Sequence, residues 1–256
     1  MRMRRIGRPT KLEIPRPTLG QLANDDPCEL YELQELIGTG SVGKVFRATR
    51  KHDRKEVALK FSTVATTWEG EAMFLQDEFE ILRGLTHPHI VQALDLFHHA
   101  SGSVLVLSYH PGSTLDVAVR ECEYGRFPEE TAQTLFGQLM KAIAYMHESR
   151  VLHRDVKAPN IIVSPDKSIL HLADFNVAKA LSFGPSLTPT GTRDYAAPEV
   201  LQGESPSEAH DVWGAGLCLF MMMTGRLPKR LSAYHSMQSF ENAVQCEPVT
   251  FHAKHW

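Results

Sequence analysis

The feature that most constrains the fold is a polar stretch held between two apolar segments near the middle of the chain. Residues 153–160 read His-Arg-Asp-Val-Lys-Ala-Pro-Asn, and an apolar triplet at residues 161–163 follows directly. Asp155, Lys157 and Asn160 thus place a carboxylate, an ammonium and a carboxamide within six residues of one another. Because apolar residues lie on both sides, we predict a loop that buried elements hold in place.

These three side chains match the chemical needs of phosphoryl transfer. A carboxylate can accept the proton of an attacking hydroxyl, an ammonium can neutralise developing negative charge, and an amide oxygen can ligate a hard metal ion. Phosphoryl transfer depends mainly on positioning and charge neutralisation. The alternative is a polar surface loop without catalytic function, because short motifs also arise by chance.

Composition limits the class of protein. The chain has 256 residues, 43% hydrophobic and 22% charged, which is ordinary for a globular protein with one large domain or two smaller lobes. A net charge of −3 gives no global basic field for nucleic acid or anionic lipid. The four cysteines form no C-x-x-C pair, and most of the 13 histidines are expected on the surface or in loops. This usage of cysteine predicts a reducing, cytoplasmic location.

Neither the N-terminal residues nor the most apolar run predicts a membrane segment. Residues 1–30 are expected to form a basic, disordered extension, since six lysines and arginines but one acid lie within residues 1–18. Organelle targeting is the alternative, but three prolines break any amphipathic helix there. The most apolar run, residues 212–223, is too short to span a bilayer.

A glycine pattern lies near the start of the folded part. Gly38, Gly40 and Gly43 are spaced as G-x-G-x-x-G, and glycine lets a backbone close tightly over phosphate groups. The same pattern occurs in dinucleotide-binding folds, where it runs straight into a helix. Here residues 44–48 are strand-like, so we predict a β-hairpin over a nucleotide.

A buried ion pair is predicted next. Residues 56–61 predict a strand on which Ala58 and Lys60 share one face. Residues 69–85 predict a helix whose apolar stripe includes Glu78. A buried carboxylate needs a partner, and Lys60 is the candidate, although it could instead be an edge residue whose charged end reaches solvent.

The second half of the chain reads as mainly helical. A Pro-Gly pair at residues 111 and 112 marks a boundary between two lobes. A long amphipathic helix is predicted over residues 128–147, and two short strands are predicted over residues 161–163 and 169–172. The strands lead to Asp174, which is either a second metal ligand or a capping residue. An apolar helix then opens at Asp211 and is expected to be buried.

Taken in this order, these segments resemble those of the eukaryotic protein kinases. The resemblance covers about residues 31–226, and its motifs are jointly specific. It implies an α+β, two-lobed protein-kinase-like fold, with a β-rich N-lobe at residues 31–109 and a mainly helical C-lobe at residues 110–256. With Lys157 and Thr192, the chain resembles the serine/threonine branch of this family. Kinases of small molecules, related to aminoglycoside and choline kinases, share only part of this pattern.

The resemblance implies roles for the residues of the active site. Asp155 would be the catalytic base, and Lys157 would steady the transferred phosphate. Lys60 would contact the ATP phosphates and pair with Glu78. The residues that bind ATP would be Ile37, Gly38, Gly40, Ser41, Gly43, Val45, Ala58, Lys60, Ser108 and His110.

A metal site and a regulatory pair are implied in the same way. Asn160 and Asp174 would hold Mg²⁺, so the cofactors are ATP and magnesium. Arg154 would pair with a phosphate on Thr188 in a loop rich in serine, threonine, proline and glycine. Because Pro189 follows Thr188, an upstream proline-directed kinase is as plausible as autophosphorylation; the alternative sites are Thr190 and Ser186.

The chain departs from the family pattern in two places. Asn176 stands where the family usually has glycine, and we expect activity to survive because asparagine tolerates a left-handed backbone. About thirty residues follow the apolar helix, where the family usually has several more helices, so the C-lobe is expected to be shortened. No arginine follows Arg230, so Glu199 is expected to be buried without the arginine that the family provides.

Two functions are therefore open. The first is an active kinase that transfers phosphate from ATP to serine and threonine hydroxyls of protein substrates, with an upstream kinase as a further partner. The alternative is a catalytically weak or inactive kinase-like regulator or scaffold with a shortened C-lobe. Pro159 and Thr114 are uncharged at positions where some kinases read arginine, which disfavours that mode of substrate recognition.

Overall fold

The computed structural model describes residues 27–39, 43–62, 69–99, 102–176, 178–180 and 193–250. The predicted N-terminal extension lies almost wholly outside these ranges. So do Gly40, Ser41 and Thr188, and their predicted roles stay predictions.

The first part of the described chain is built around one antiparallel sheet. Its strands are β1 (Tyr31–Thr39), β2 (Gly43–Arg50), β3 (Glu56–Ser62), β4 (Ala93–His99) and β5 (Gly102–Ser108). They lie in the order β1-β2-β3-β5-β4. A short helix, α1 (Pro27–Leu30), precedes the sheet, and α2 (Glu69–Arg83) packs against it. The antiparallel pairing of β1 with β2 confirms the predicted hairpin.

The register of the sheet places the predicted nucleotide-facing residues on one face. Val45 of β2 lies opposite Lys60 of β3, and Ala58 is two residues from Lys60 on the same strand. Gly43 lies where β2 begins, opposite Ser62. A Cβ atom at this position would lie 1.7 Å from the Phe61 carbonyl oxygen, so the close approach of β2 and β3 there requires glycine.

The second part is mainly helical. Its helices are α3 (Leu115–Arg120), α4 (Glu129–Glu148), α5 (Pro198–Leu201), α6 (Glu208–Thr224) and α7 (Met237–Cys246). Its short strands are β6 (Ser113–Thr114), β7 (Val151–Leu152), β8 (Ile161–Val163), β9 (Leu170–Leu172) and β10 (Lys179–Ala180). The strands β6, β8 and β9 form one small sheet, and β7 pairs with β10. This mixed α+β architecture, with a β-rich first part and a helical second part, confirms the predicted fold class.

The apolar stripe of α4 explains how the second part is held together. Leu135, Leu139, Ile143 and Met146, which recur at helical spacing, are all at most 1% exposed. They join one continuous core that extends from Leu75 and Leu82 of α2 into α6. The core therefore connects the sheet-rich part to the helical part directly behind the polar stretch at residues 153–160.

Helix α6 is buried along most of its length but not on every side. A Cβ atom at Gly214 would lie 2.4 Å from the Val156 carbonyl oxygen, so this glycine lets the helix pack against the polar stretch. On another side, an apolar groove of about 510 Å³ is lined by residues that include Trp213, Leu217 and Phe220. Val212 is 46% exposed, so the expectation of full burial is wrong there.

Two further expectations about the C-terminal part need correction. Helix α7 was not predicted; it starts at a Ser236–Ser239 capping box and buries Phe240 and Ala243. Glu199 is half-buried, not buried, so water reduces the cost of its charge. Among the described residues, no helix has the length and apolar character that a bilayer span requires.

Candidate active site

A buried ion pair joins the sheet to α2, as predicted. The Lys60 Nζ atom lies 2.7 Å from Glu78 Oε2 and 3.0 Å from Oε1. Lys60 is 6% exposed and Glu78 is 1% exposed. Glu78 occurs on the apolar stripe of α2, while Glu80 on the opposite face is exposed. The predicted pairing of Glu78 with Lys60 is confirmed.

Asp174 extends this pair into a cluster. Its Oδ1 atom lies 2.8 Å from Lys60 Nζ, and the side chain of Asp174 is 36% exposed. Asn176 joins the same cluster, with Oδ1 at 2.7 Å from Lys60 Nζ. The Phe175 N–H donates to Glu78 Oε1 at 3.2 Å. The backbone that carries Asp174 is therefore tied to both members of the ion pair.

Burial and charge act in opposite directions in this cluster. Burial alone would lower the pKa of Lys60, but the carboxylates of Glu78 and Asp174 outweigh it and raise that pKa. Burial raises the pKa of Glu78, and Lys60 offsets this only in part. Burial also opposes ionisation of Asp174, yet Lys60 holds the pKa of Asp174 below its ordinary value. Lys60 is thus a charged ammonium beside a charged Asp174 carboxylate.

The polar stretch places its three functional groups together. Asp155 Oδ2 lies 2.6 Å from Lys157 Nζ and accepts a hydrogen bond from Asn160 Nδ2 at 3.1 Å. Asn160 Nδ2 also donates to the Asp155 carbonyl at 2.9 Å. Since Nδ2 of Asn160 is used in this way, its remaining polar atom is Oδ1, an oxygen of the kind that ligates hard cations.

A second contact joins the polar stretch to the strand before Asp174. The Ala173 N–H donates to the Asn160 carbonyl at 2.8 Å. His153, which is 0% exposed, approaches the Ala173 carbonyl with Nε2 at 3.1 Å and packs edge-on against Phe175, with ring centroids 4.6 Å apart. Because Asp155 N–H donates to Nδ1 of His153, the proton of the neutral ring is on Nε2. The two segments that carry Asp155 and Asp174 are therefore held in one arrangement.

Asp211 fixes the backbone of the polar stretch through hydrogen bonds. Its carboxylate is 0% exposed and accepts hydrogen bonds from the His153 N–H at 3.0 Å and the Arg154 N–H at 2.8 Å. His147 Nε2 lies 2.9 Å from the same carboxylate. Arg154 has a φ of 68°, in the left-handed region that a non-glycine residue rarely occupies. The hydrogen bonds of Asp211 therefore stabilise a strained turn directly before Asp155.

Two of these residues were missed by sequence reasoning. Asp211 was identified only as the start of a helix, although an acid in the first turn of an apolar helix is a sign of a buried partner. His153 is in the core, so the expectation that most histidines are on the surface or in loops does not extend to it. Its position between Leu152 and Arg154 carried no signal of burial.

The predicted ATP-binding residues have varied environments. Val45, Ala58 and Lys60 share one face of the sheet, with Gly38 opposite Val45 on β1, and Ile37 is 44% exposed. The side chains of Ser108 and His110 are engaged within the protein: Ser108 Oγ lies 2.9 Å from His110 Nε2 and accepts from the Gln92 N–H. The sheet residues thus lie on one face, and the predicted roles of Ser108 and His110 in ATP binding stay predictions.

Arg154, the predicted regulatory residue, is 6% exposed. Its Nη2 atom is buried and has no hydrogen-bond partner among the described residues. Burial lowers the pKa of its guanidinium. An anion would satisfy this donor, but Thr188 lies outside the described residues, so the pairing stays a prediction.

The oxygen ligands present suit magnesium shared with a phosphate-bearing substrate. Mg²⁺ commonly binds proteins through one or two carboxylates and completes its shell with substrate phosphates and water. Asp174 and Asn160 offer one carboxylate and one amide oxygen. Among the residues that the structure describes, no group of three or more histidines, cysteines or acids could hold a metal by itself.

Comparison with known proteins agrees with this arrangement. Residues 31–256 match the protein kinase domain family. Serine/threonine-protein kinase 36 of Pongo abelii is 36% identical over 202 residues, which is 78% of this chain and 15% of that protein. Serine/threonine-protein kinase TIO of Arabidopsis thaliana is 33% identical over 203 residues, again 78% of this chain and 15% of that protein.

A shorter relative is covered more fully. Calcium/calmodulin-dependent protein kinase type 1 of Caenorhabditis elegans is 32% identical over 212 residues, or 82% of this chain and 60% of that protein. The chain thus spans less than two thirds of each of these relatives. The family match covers most of the chain and includes the segments that form the ion pair, the polar stretch and the Asp174 strand. The chain belongs to the protein kinase family, and the relatives that it resembles are serine/threonine-protein kinases.

Proposed function

We propose that the chain transfers the terminal phosphoryl group of ATP to serine and threonine hydroxyls of protein substrates. The observation that carries the proposal is the joint placement of the Lys60–Glu78–Asp174 cluster and the Asp155–Lys157–Asn160 cluster, linked by the Ala173–Asn160 hydrogen bond. The first cluster suits a nucleotide and its metal, and the second suits an acceptor hydroxyl. The names of the relatives support the same activity.

The proposed role of Asp155 is to orient the acceptor hydroxyl and take its proton. Its side chain is 11% exposed, and Lys157 and Asn160 both contact Oδ2. A carboxylate held this firmly loses little entropy when an acceptor hydroxyl docks. Lys157, whose ammonium lies beside it, would neutralise charge on the transferred group.

Asp174 and Asn160 are the residues that would hold magnesium. A bound divalent cation supplies charge stabilisation at phosphate oxygens. Lys60 lies next to Asp174, so its ammonium would reach phosphate oxygens of the same nucleotide. Glu78 would keep Lys60 oriented, because the pair is buried and its hydrogen bonds are short.

No observation favours the inactive alternative. The carboxylates, lysines and amide that the chemistry needs are all present, and those within the described residues are in contact with one another. The argument for a regulator or scaffold was the expectation of a shortened C-lobe, which does not bear on the contacts within the two clusters.

The test compares Asp155→Asn with a matched control, Asp77→Asn, on the exposed face of α2. With MgATP and a mixture of protein substrates, Asp155→Asn should reduce phosphotransfer by about two to four orders of magnitude. Its affinity for nucleotide should hardly change, because Asp155 acts on the acceptor. The control should keep wild-type activity. Full activity of Asp155→Asn, or no activity of the wild type towards any acceptor, would contradict the proposal.

We also infer that Arg154 pairs with a phosphate on Thr188. The buried Nη2 donor supports this, since phosphate oxygens accept strong hydrogen bonds from guanidinium groups. Phosphatase treatment of protein that mass spectrometry shows to be phosphorylated on Thr188 should lower its activity. Thr188→Ala should match the treated protein. If both stay as active as the phosphorylated wild type, the pairing has no regulatory role.

A further inference from the structure

Asn176 contacts both charged partners in the first cluster. Its Oδ1 atom lies 2.7 Å from Lys60 Nζ, and its Nδ2 atom donates to Asp174 Oδ1 at 2.5 Å. The same Asp174 oxygen lies 2.8 Å from Lys60 Nζ. The amide therefore closes a ring of three hydrogen bonds with the lysine and the aspartate.

The chemistry of the partners determines how this amide is oriented. An ammonium is only a donor, so the atom of Asn176 that faces Lys60 must be the oxygen. An ionised carboxylate is only an acceptor, so the atom that faces Asp174 must be the nitrogen. An ammonium has three N–H groups, and here they point to Glu78, Asp174 and Asn176. The donor capacity of Lys60 is thus fully used inside the protein.

Asn176 occurs here for its side chain and not for its backbone. Among the described non-glycine residues, Asp174 has a left-handed backbone, with φ of 63°, whereas Asn176 does not have a positive φ. The left-handed backbone that was the reason to expect tolerance of Asn176 is therefore not adopted, and survival of activity stays a prediction. What the residue adds is a neutral group that accepts from Lys60 and donates to Asp174.

We propose that Asn176 is a positioning residue whose side-chain amide competes with a nucleotide phosphate for one N–H of Lys60. The inference rests on the proposed function. Of the three side chains that accept from Lys60, Asn176 is the neutral one, since Glu78 and Asp174 are carboxylates. Hydrogen bonds between two charged groups are stronger than those to a neutral oxygen, so a phosphate oxygen displaces the amide first.

This exchange predicts the direction in which the affinity for nucleotide changes when Asn176 is replaced. Nucleotide binding must break the hydrogen bond between Lys60 and Asn176, so that bond lowers the affinity for nucleotide. Removing the amide takes away one acceptor of Lys60, and a phosphate oxygen can then take its place without a competing contact. From the net value of a hydrogen bond to a charged group, Asn176→Ala should bind nucleotide about 10- to 150-fold more tightly.

The experiment measures binding of a fluorescent ADP analogue without metal, in EDTA, to four proteins. These are wild type, Asn176→Ala, Asn176→Asp and the control Asn242→Ala, which removes an exposed amide on α7. Asn176→Ala should tighten binding. Asn176→Asp keeps the acceptor and adds a negative charge, so it should weaken binding. The control should equal wild type. Unchanged or weaker binding by Asn176→Ala would overturn the inference.

Two further measurements separate positioning from a merely structural role. With MgATP, Asn176→Ala should lower KM by a similar factor and change kcat by less than about twofold, because the contact is lost before the chemical step. The melting temperature of the nucleotide-free protein should fall, and saturating nucleotide should restore it. If the alanine variant does not fold, Asn176→Gly gives the same test. A lower kcat with unchanged KM would contradict the inference.

Failure of the inference is distinct from failure of the proposed function. The ADP analogue reports on Lys60 and Asn176 whether or not phosphotransfer occurs. If wild type transfers phosphate but the two Asn176 variants bind nucleotide like wild type, only this inference fails. If no variant transfers phosphate to any acceptor, the proposed activity fails.

Discussion

Two cations on the same face of the β2–β3 ladder each lie between two carboxylates, but one cation is buried and the other is partly exposed. Lys60 lies between the carboxylates of Glu78 and Asp174, and Arg47 lies between those of Glu35 and Glu56. The register puts Val45 opposite Lys60 and Arg47 opposite Ala58, so both cations point to one side of the sheet. The Lys60 side chain is 7% exposed, whereas that of Arg47 is 31% exposed and its partners more so.

The difference indicates that burial, and not the pattern of charges, determines how much such a cluster contributes to stability. Solvent screens the Arg47 cluster, and exposed ion pairs contribute little to stability. In the Lys60 cluster, each charge depends on its partner, because a charge left alone in the interior is costly. Substitutions that remove the cation from one cluster or the other should therefore have very different effects on stability.

Lys60→Met should have the largest effect. It leaves Glu78 and Asp174 together without their cation, and breaking a buried pair in this way costs about 3–5 kcal/mol of unfolding free energy. Phosphotransfer should fall by orders of magnitude as well, because nucleotide positioning is lost. Urea unfolding followed by circular dichroism measures the first effect, and a phosphotransfer assay measures the second. A variant as stable as wild type would show that the buried cluster is no more important than the exposed one.

Asp211→Asn should come next, and it tests burial of an anion that backbone N–H groups satisfy without a lysine. The amide nitrogen of the variant would face a donor from His153, Arg154 or His147, so at least one buried donor loses its acceptor. We expect a loss of about 2–3 kcal/mol in unfolding free energy and a clear loss of activity. The exposed change Asp77→Asn is the control. Equal melting curves for both variants would contradict the assigned role of Asp211.

A smaller effect is expected from pH at a pair of stacked histidines. The rings of His110 and His171 lie 3.4 Å apart, and His89 faces the same strand, with Nδ1 3.2 Å from the Leu170 carbonyl. Burial, followed by the influence of His110 and His89, lowers the pKa of His171 to about 4 from an ordinary value of 6.5. A depressed pKa means that the folded state binds fewer protons, so its stability is complete above pH 6.5 and decreases as pH falls towards 4.

His171→Phe should remove most of this pH dependence while keeping an aromatic ring in the stack. Between pH 7 and pH 5 the wild type should lose about 2 kcal/mol through this group, and the variant should lose less. His52→Phe, at a side chain that is 71% exposed, is the matched control and should behave like wild type. Urea unfolding at both pH values decides the matter. Parallel pH dependence in all three proteins would exclude His171 as the source.

Arg47→Met should have the smallest effect and completes the comparison with Lys60→Met. The substitution keeps an unbranched side chain and removes the charge from a cluster that solvent already screens. The melting temperature should stay within about 2 °C of wild type. Arg47 also lies over the Tyr109 ring at 5.0 Å, and Tyr109 stands between Ser108 and His110, which are predicted to bind ATP. We therefore expect a modest change in the KM for nucleotide. A large loss of stability would mean that the Arg47 cluster behaves as a buried one.

Much of the fold could be predicted because its signals are local. The helical spacing of Leu135, Leu139 and Ile143 and the burial of Glu78 on the stripe of α2 both follow from periodicity over a few turns. The contacts among Asp155, Lys157 and Asn160 were predictable for a similar reason, since these residues are within one short loop. Helix α7 was missed although its signals are local too: Phe240, Ala243 and Val244 recur at helical spacing, and a capping box at Ser236 precedes them.

By itself, the sequence determined the order of the main strands and helices around the site, the family resemblance and the group of residues with catalytic chemistry. The tertiary structure alone decided which distant groups form hydrogen bonds with these catalytic residues and the backbone beside them. Asp211 supports the turn at Arg154 from 57 positions away, and Asn176 meets Lys60 across 116 positions. No local periodicity specifies such contacts. They arise because α6 packs against the polar stretch and the segment that carries Asp174 packs beside the sheet. This packing removes water, so each buried donor and acceptor needs a partner within the protein.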